Sequence, residues 1–148
     1  MRPEQKKRRR DEEGFTLVEL MVVIVIIGLL ATIVVINVLP SGDKAKSVRA
    51  KADISTIEGG LDMYKLQNGS YPTTAQGLEA LVRAPSGVNA STYQPGGYLK
   101  GSKVPNDPWG RPYLYASPGT HGEADVWSFG ADGKEGGEGA NADIDNWH

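Results

Sequence analysis

The sequence contains no cysteine, which excludes disulfide bonds and thiolate metal sites as means of holding the fold together. Its 148 residues suffice for one small domain, and the net charge is only −2. That charge is uneven, because residues 1–14 carry a net +2 and the remaining residues a net −4. A nucleic-acid site needs basic residues on the folded part of a protein, so the acidic body argues against nucleic acid as a partner.

Histidine is also scarce. The two histidines are His121, in a Gly-rich stretch, and His148, the last residue. Neither has a recognisable nucleophile or metal-ligand partner, and we therefore expect this chain not to be an enzyme. Most of the 19 glycines and 9 prolines lie beyond residue 68, which predicts a turn-rich second half with short strands.

One long apolar run stands out, from Phe15 to Leu39, with a single charge at Glu19. As a helix its 25 residues would span about 38 Å, enough to cross a bilayer core of about 30 Å. The basic cluster at residues 6–10 precedes it, so residues 1–14 are predicted to be cytoplasmic and the C-terminal part exported. The run is too long for an ordinary secretory signal peptide, whereas a simple uncleaved anchor stays open on hydropathy alone.

Glu19 is the anomaly in this run, because an acid inside a membrane helix costs roughly 3 kcal/mol. Position alone leaves two interpretations open: a functional acid, or one that lies near the cytoplasmic end and reaches the headgroups. The string Gly14-Phe15-Thr16-Leu17-Val18-Glu19 follows a short charged leader and opens the apolar run. It resembles the class III signal of type IV pilins and pseudopilins.

This resemblance implies three things. A prepilin peptidase would cleave after Gly14 on the cytoplasmic face, leaving residues 1–14 as a removed leader. The new N-terminal Phe15 would then be N-methylated by the same peptidase/N-methyltransferase. Glu19 of one subunit would meet the Phe15 ammonium, which is largely charged at neutral pH, of the neighbouring subunit in a filament.

Beyond the apolar run, Pro40-Ser41-Gly42 is predicted to interrupt the helix, with Asp43 as the N-cap of its continuation. The continuation, about residues 43–67, carries apolar residues at spacings of four, three, four and three. This pattern predicts one amphipathic stripe, too short for a coiled-coil seam and suited to packing on a sheet. The stripe consists of Ala50, Ile54, Ile57, Leu61 and Tyr64.

Residues 40–148 are predicted to form an exported domain with an α+β fold. A short amphipathic helix is expected at about residues 74–83, buried through Leu78, Leu81 and Val82. A small antiparallel β-sheet is expected within residues 97–148, packed on the amphipathic helix. The strand candidates are Gly97–Lys100, Arg111–Ala116 and Asp125–Phe129.

Three segments extend the resemblance: residues 62–82, the Asp107–Tyr113 stretch DPWGRPY, and SFGADG at 128–133 with the acidic residues that follow. They resemble the major pseudopilin family of type II secretion, the G-type core subunit, in order along the chain. For Trp109 and Tyr113 we favour a structural interpretation, namely a turn between two prolines and a buried aromatic residue.

The acidic C-terminal loop has the length of an EF-hand loop, with Asp132 and Asp143 at its first and twelfth positions. It is not an EF-hand, because positions three and five are Lys134 and Gly136 and no helices flank it. The residues alone leave open a solvated acidic loop. The resemblance implies instead one structural calcium ion, which would replace the missing cysteines as a staple.

The ligands that the resemblance implies are the Asp132 and Asp143 side chains and the carbonyls of Phe129 and Lys134. A further family carboxylate falls at Ala142. The coordination would therefore be completed by Asn141, a neighbouring acid or water.

Taken together, the resemblance implies the major subunit of a type II secretion pseudopilus, a homopolymer that drives folded exoproteins toward the outer membrane. Its expected location is the inner membrane, with the C-terminal domain in the periplasm. Expected partners are minor pseudopilins, an inner-membrane platform with its ATPase, and the outer-membrane secretin. The alternatives are a type IV pilin, many of which need a disulfide impossible here, and a membrane-tethered calcium-binding module that never polymerises.

Overall fold

A computed structural model describes residues 14–148, apart from the side chains of residues 35–41. The predicted leader therefore lies outside the described residues except for Gly14. The chain divides into two compact units, Met1–Leu39 and Pro40–His148. The first unit contributes the apolar beginning of one long helix, α1, and the second contributes the end of that helix and all of the other described elements.

Helix α1 spans Leu17–Asn68. Contrary to prediction, Pro40-Ser41-Gly42 does not interrupt it, and Asp43 lies inside the helix, where its carbonyl accepts a hydrogen bond from the Ser47 hydroxyl at 3.2 Å. A proline inside a helix removes one backbone donor and its ring crowds the carbonyl four residues earlier, which costs about 3 kcal/mol. Extending an existing helix costs less than nucleating a new one, so one missing hydrogen bond does not end it.

The end of α1 is as predicted. Gly69 follows Asn68 with φ 87°, and its N–H donates to the Lys65 carbonyl at 2.8 Å. This left-handed residue closes the helix and satisfies one of its terminal carbonyls.

The predicted amphipathic stripe of α1 is confirmed as the centre of the core. Its five residues, from Ala50 to Tyr64, are at most 3% exposed. They pack with other buried apolar residues from across the second unit: Leu78, Ala80, Leu81, Leu99, Tyr113, Val126 and Ile144. Burial of this stripe, rather than helix propensity, is what stabilises this half of the helix.

The sheet is small and antiparallel, with strand order β1-β2-β3. Strand β1 is Leu114–Ala116, β2 is Asp125–Ser128 and β3 is Ile144–Asp145. Tyr115 pairs with Val126, and Ser128 pairs with Ile144. In this register the side chains of Val126 and Ile144 lie in the core. The α+β class is confirmed, as are the second and third strand candidates in shortened form.

Two elements differ from the predictions. Gly97–Lys100 is not a strand, because the Tyr98 N–H donates to the Leu81 carbonyl at 2.7 Å instead of to a strand partner. A Cβ at Gly97 would lie 2.6 Å from that same carbonyl, which shows how closely the segment is held. The short helix is a 3₁₀ helix confined to Leu78–Leu81, and a second 3₁₀ helix forms at Gly139–Asn141.

Candidate functional site

The first candidate site is the start of α1. Gly14, Phe15 and Thr16 precede the helix, so the Gly14–Phe15 peptide bond lies outside its hydrogen-bonded turns. The Thr16 hydroxyl accepts a hydrogen bond from the Glu19 N–H at 3.1 Å. A threonine three residues before a glutamate is the pattern of a helix capping box. The helix start is therefore defined locally, two residues after the predicted cleavage point.

The carboxylate of Glu19 has no hydrogen-bond or ion-pair partner among residues 14–148. It lies in the first turn of α1, where the helix dipole favours a negative charge. That effect is worth at most about 1 kcal/mol at an exposed site, less than the cost of placing an acid in lipid.

The apolar half of α1 has no cover within the described chain. Every large hydrophobic side chain from Leu17 to Val34 is at least 45% exposed, and Phe15 is 84% exposed. The same 18 residues are long and apolar enough to cross a membrane. Such a surface needs lipid or other protein around it, because apolar patches of this extent are rare on soluble monomers.

The second candidate site is the loop of residues 129–143, which connects β2 to β3. Its ends are tied to the domain by hydrogen bonds. The Arg111 guanidinium donates to the Gly130 carbonyl, and the Ala131 N–H donates to the Ala140 carbonyl at 2.9 Å. The loop is therefore closed on itself beside the sheet.

Asp107 holds Arg111 in position. It is 4% exposed, and its Oδ1 accepts hydrogen bonds from the N–H groups of Trp109 at 3.1 Å and Arg111 at 2.8 Å. Its Oδ2 accepts the Ser128 hydroxyl at 2.7 Å. The Asp-Pro-Trp-Gly stretch is thus an Asp-capped turn joined to β2.

The structural interpretation of Tyr113 is confirmed. It is 5% exposed, and its hydroxyl donates to Asp53 Oδ2 at 2.8 Å. Burial and this hydrogen bond raise the pKa of Tyr113 far above its ordinary value. Trp109 is partly buried, and its indole N–H has no partner among the described residues.

Two glycines make the loop compact. A Cβ at Gly130, whose φ is 70°, would lie 2.6 Å from the Ala142 carbonyl oxygen. A Cβ at Gly137, whose φ is 92°, would lie 2.5 Å from the Asn141 carbonyl oxygen. Only glycine fits both the positive φ and the close backbone contact.

Asp143, one of the two predicted carboxylate ligands, is partly buried in this loop. Its Oδ2 accepts a hydrogen bond from the Gly136 N–H at 2.9 Å, and its Oδ1 is buried without a hydrogen-bond partner in the described chain. A buried carboxylate oxygen without a donor is costly unless a cation lies beside it. This oxygen fits a hard divalent cation, which prefers oxygen ligands.

The other predicted ligands lie on the same loop. Asp132 is exposed, and its Oδ1 accepts the Lys134 N–H at 3.1 Å. Phe129 directly follows β2, and Asn141 ends the second 3₁₀ helix and is exposed. Within residues 14–148, no three His, Cys, Asp or Glu side chains gather as a metal site. A cation here would therefore depend on carbonyl, amide or water oxygens as well as the two carboxylates.

Strand β3 and the contacts that hold the C-terminus were not predicted from the sequence. The Asn146 side chain donates to the Ala124 carbonyl and accepts the Val126 N–H, both at 3.0 Å. The His121 ring stacks on Trp147 with centroids 4.0 Å apart. The available signal was an Asn next to an Asp at residues 145–146, since such side chains readily bond to nearby backbone.

Asp125, at the start of β2, is a second anchor that was missed. Burial raises its pKa, but hydrogen bonds from His121, Thr120 and Gly122 outweigh burial and leave the pKa below the ordinary value. The N–H groups of Thr120 and Gly122 donate to it at 2.8 and 3.0 Å. The carboxylate organises the turn next to the C-terminal residues.

Comparison with known protein families matches both parts of the chain. The family Type II secretion system (T2SS), protein G matches residues 37–147, and the prokaryotic N-terminal methylation motif matches residues 9–35. The chain belongs to the type II secretion system protein G family. The resemblance to this family that the sequence motifs indicated is therefore confirmed.

Relatives of this protein G family member cover nearly its whole length. The type II secretion system core protein G of Vibrio cholerae is 54% identical over 96% of this chain and 96% of its own. That of Pseudomonas aeruginosa is 55% identical over 95% and 98%. The crystal structure of the major pseudopilin from the type 2 secretion system of enterohaemorrhagic Escherichia coli matches with TM-score 0.60 and 38% identity, covering 75% of this chain and 94% of that one.

The loop geometry predicts unequal effects at two adjacent glycines. Gly136 and Gly137 both have positive φ, which costs about 1–2 kcal/mol for a residue with a Cβ. Only Gly137 would also meet a carbonyl, since nothing lies within 4 Å at Gly136. We expect Gly137→Ala to lower the melting temperature several degrees more than Gly136→Ala in thermal unfolding followed by circular dichroism. Equal melting of the two variants would contradict this account of the loop.

Proposed function

We propose that this chain is the major pseudopilin, the repeated subunit of a periplasmic filament that drives folded proteins through the outer membrane in type II secretion. The observation that carries this proposal is the uncovered apolar half of α1, which opens at a methylation motif. In a single subunit this half requires lipid around it. In a filament it can be covered by the same half of neighbouring subunits.

Assembly by this route needs external work. Removing about 25 apolar residues from lipid forfeits roughly 10 kcal/mol at about 0.4 kcal/mol per residue. We therefore propose an inner-membrane platform with a cytoplasmic ATPase as the partner that drives extraction. Minor pseudopilins and the outer-membrane secretin complete the proposed set of partners, and the protein itself acts as a structural subunit and not as an enzyme.

The proposed maturation step is hydrolysis of the Gly14–Phe15 amide bond by a prepilin peptidase: the C–N bond breaks, and water adds a hydroxyl to the Gly14 carbonyl carbon and a hydrogen to the Phe15 nitrogen. The Phe15 amine would then take a methyl group from a sulfonium methyl donor, which leaves as a thioether while the amine releases a proton. The proposed orientation places residues 1–14 in the cytoplasm and the domain of residues 40–148 in the periplasm. Cleavage on the cytoplasmic side also removes the whole basic cluster at residues 6–10.

Replacing Gly14 tests this maturation step. We expect Gly14→Ala to block cleavage, because a Cβ is added at the residue whose carbonyl is attacked, although nothing in the described chain obstructs it there. Mass spectrometry of the membrane fraction should find Phe15 as the N-terminus of the parent and an uncleaved chain for the variant. A variant that is processed at the parent's rate would count against the peptidase assignment.

Glu19 is proposed to pair with the Phe15 ammonium of a neighbouring subunit. Two charges that are each costly in lipid become tolerable together, and their attraction sets the axial register of helices that otherwise gain little from associating. The absence of a partner for Glu19 within the described chain supports this proposal.

We expect Glu19→Gln, which keeps the size and removes the charge, to leave membrane insertion and cleavage intact. Filament yield, measured by electron microscopy and by chemical crosslinking, should fall by about tenfold or more. Normal filaments and normal secretion in a strain complemented only with this variant would argue against the pairing of Glu19 with Phe15.

We further propose one structural calcium ion in the loop of residues 129–143. The residues that would hold it are the side chains of Asp132 and Asp143, the carbonyls of Phe129 and Lys134, and Asn141. Calcium would supply positive charge to the buried Asp143 oxygen that lacks a donor. These residues would thereby hold a loop that no disulfide can close.

The calcium proposal predicts a conditional loss of stability. The parent should have a higher melting temperature in saturating calcium than in chelator, because calcium that binds only the folded state adds its binding free energy to the free energy of unfolding. Asp143→Asn should lose most of this increase while melting in chelator at or above the parent, because an uncompensated buried charge has been removed. Glu79→Gln, at an exposed acid far from the loop in sequence, serves as the control. An undiminished calcium increment in Asp143→Asn would exclude this residue as a ligand.

A further inference from the structure

A cavity of about 420 Å³ is lined by residues from the C-terminal end of α1 and from the segments 70–76 and 87–92. Among the described residues that line it none carries a charge, although 23% of the residues in the chain do. Most of its lining side chains are amides, hydroxyls or tyrosines. We call it the amide cavity. A neighbouring cavity of about 550 Å³ shares only Tyr71 with it and has five titratable side chains besides: Glu58, Lys65, His121, Glu123 and Asp125.

Two amide side chains of the amide cavity are held by their oxygens. Gln76 Oε1 accepts the Thr73 N–H at 2.9 Å, and the Thr73 hydroxyl accepts the Gln76 N–H at 3.2 Å. Asn89 Oδ1 accepts the N–H and the hydroxyl of Ser91 at 3.0 and 2.8 Å. The NH₂ groups of Gln76 and Asn89 have no partner in the described chain, and neither has the Ser70 hydroxyl. The wall therefore carries unused hydrogen-bond donors on side chains that are already fixed.

Asn68, at the end of α1, fixes the wall itself. Its side-chain amide donates to the Tyr64 carbonyl at 3.0 Å and to the Tyr98 hydroxyl at 2.9 Å. Its Oδ1 accepts the Thr92 hydroxyl at 3.0 Å, which ties the segment 87–92 to the helix. The amide cavity is thus built by contacts between distant parts of the chain, and its shape is set before any ligand arrives.

Tyr71 contributes a neutral aromatic side chain to the same wall. Its hydroxyl donates to Asp62 Oδ1 at 2.7 Å, and this hydrogen bond raises the pKa of Tyr71 to about 12. The Lys65 ammonium lies 4.6 Å from the centroid of the Tyr71 ring and helps to position it. Tyr71 and Val88 supply apolar surface between the polar groups of the cavity.

These features restrict the chemistry of a ligand. An anion would need a cation and a metal ion would need a carboxylate, and the lining includes neither. An apolar ligand would leave the donors of Gln76 and Asn89 buried without partners. A neutral ligand with several acceptor oxygens and some apolar surface satisfies both parts of the wall. The volume lies within the range of small-molecule sites, about 300–1,000 Å³.

We propose that the amide cavity binds a neutral saccharide built of N-acetylhexosamine units. A sugar ring carries hydroxyls at its edge and C–H groups on its faces. The hydroxyl and acetamido oxygens would accept from the NH₂ groups of Gln76 and Asn89, while the C–H faces and the acetamido methyl would lie against Tyr71 and Val88. The cavity needs only the folded domain, so it would bind such a sugar whether or not the chain forms filaments.

Saturation-transfer difference NMR with triacetylchitotriose tests the site on the full chain. The detergent should be lauryldimethylamine oxide, because alkyl glycoside detergents carry sugar groups that would compete. We expect saturable transfer to the acetamido methyl protons in the parent. Asn89→Asp keeps the oxygen that accepts from Ser91 and removes the NH₂ group, so binding should weaken about tenfold or more. Gln76→Glu should have the same effect.

Asn106→Asp makes the same chemical change at an exposed residue outside the amide cavity, and it should bind as the parent does. Equal melting temperatures of the parent and the three variants would show that the fold is kept. Absence of transfer in the parent, or equal binding by Asn89→Asp and Asn106→Asp, would overturn the site. Maltotriose, which lacks acetamido groups, should bind more weakly, and equal binding would refute the N-acetylhexosamine assignment. A chain that binds triacetylchitotriose but forms no filaments would refute the proposed function and leave this site intact.

Discussion

The first half of α1 is apolar on every side except at Glu19, and the described part of the chain does not cover it. Every large hydrophobic residue from Leu17 to Val34 is exposed to the extent expected of a helix standing alone. Water is an unfavourable solvent for such a surface, so it must be in lipid or against other protein. Membrane residence and polymerisation are two solutions to the same physical problem, and a pseudopilin uses them in succession.

The second half of the same helix meets the opposite requirement, since it must build a water-soluble domain. The buried stripe from Ala50 to Tyr64 organises a core that the three short strands alone would be too small to form. The adjacent glycines Gly59 and Gly60 lie on different sides of this helix, one exposed and one against Leu99. The second half of α1 therefore builds the folded domain, while the first half is left for lipid or other protein to cover.

The domain reaches a closed C-terminal loop without cysteine. Buried acids replace covalent links: Asp107 fixes the turn that carries Arg111, and Asp125 fixes the turn beside the C-terminal residues. Each of these carboxylates receives several hydrogen bonds. Asp143 differs, because one of its oxygens is buried without a donor. A cation beside this oxygen would compensate the buried negative charge, which no donor in the described chain does.

Features that depend on local periodicity and local backbone preference could be predicted from the sequence. The membrane-length run, the buried stripe of α1 and the stop at Asn68-Gly69 follow from residues a few positions apart, and all three are present in the structure. The α+β class followed as well, because an amphipathic helix before short, turn-separated strands has few other ways to bury its stripe.

Features that depend on contacts between distant residues could not be predicted from local sequence, because they are set by the folded chain. Gly97–Lys100 has the composition of a strand, but its backbone bonds to the Leu81 carbonyl and not to a neighbouring strand. Strand β3 forms because Ile144 pairs with Ser128 of β2. Pro40 locally predicts a break in the helix, but α1 continues through it with helical turns on both sides. The buried Asp143 oxygen that lacks a donor could not be predicted from the sequence either, because burial depends on the residues that surround a side chain.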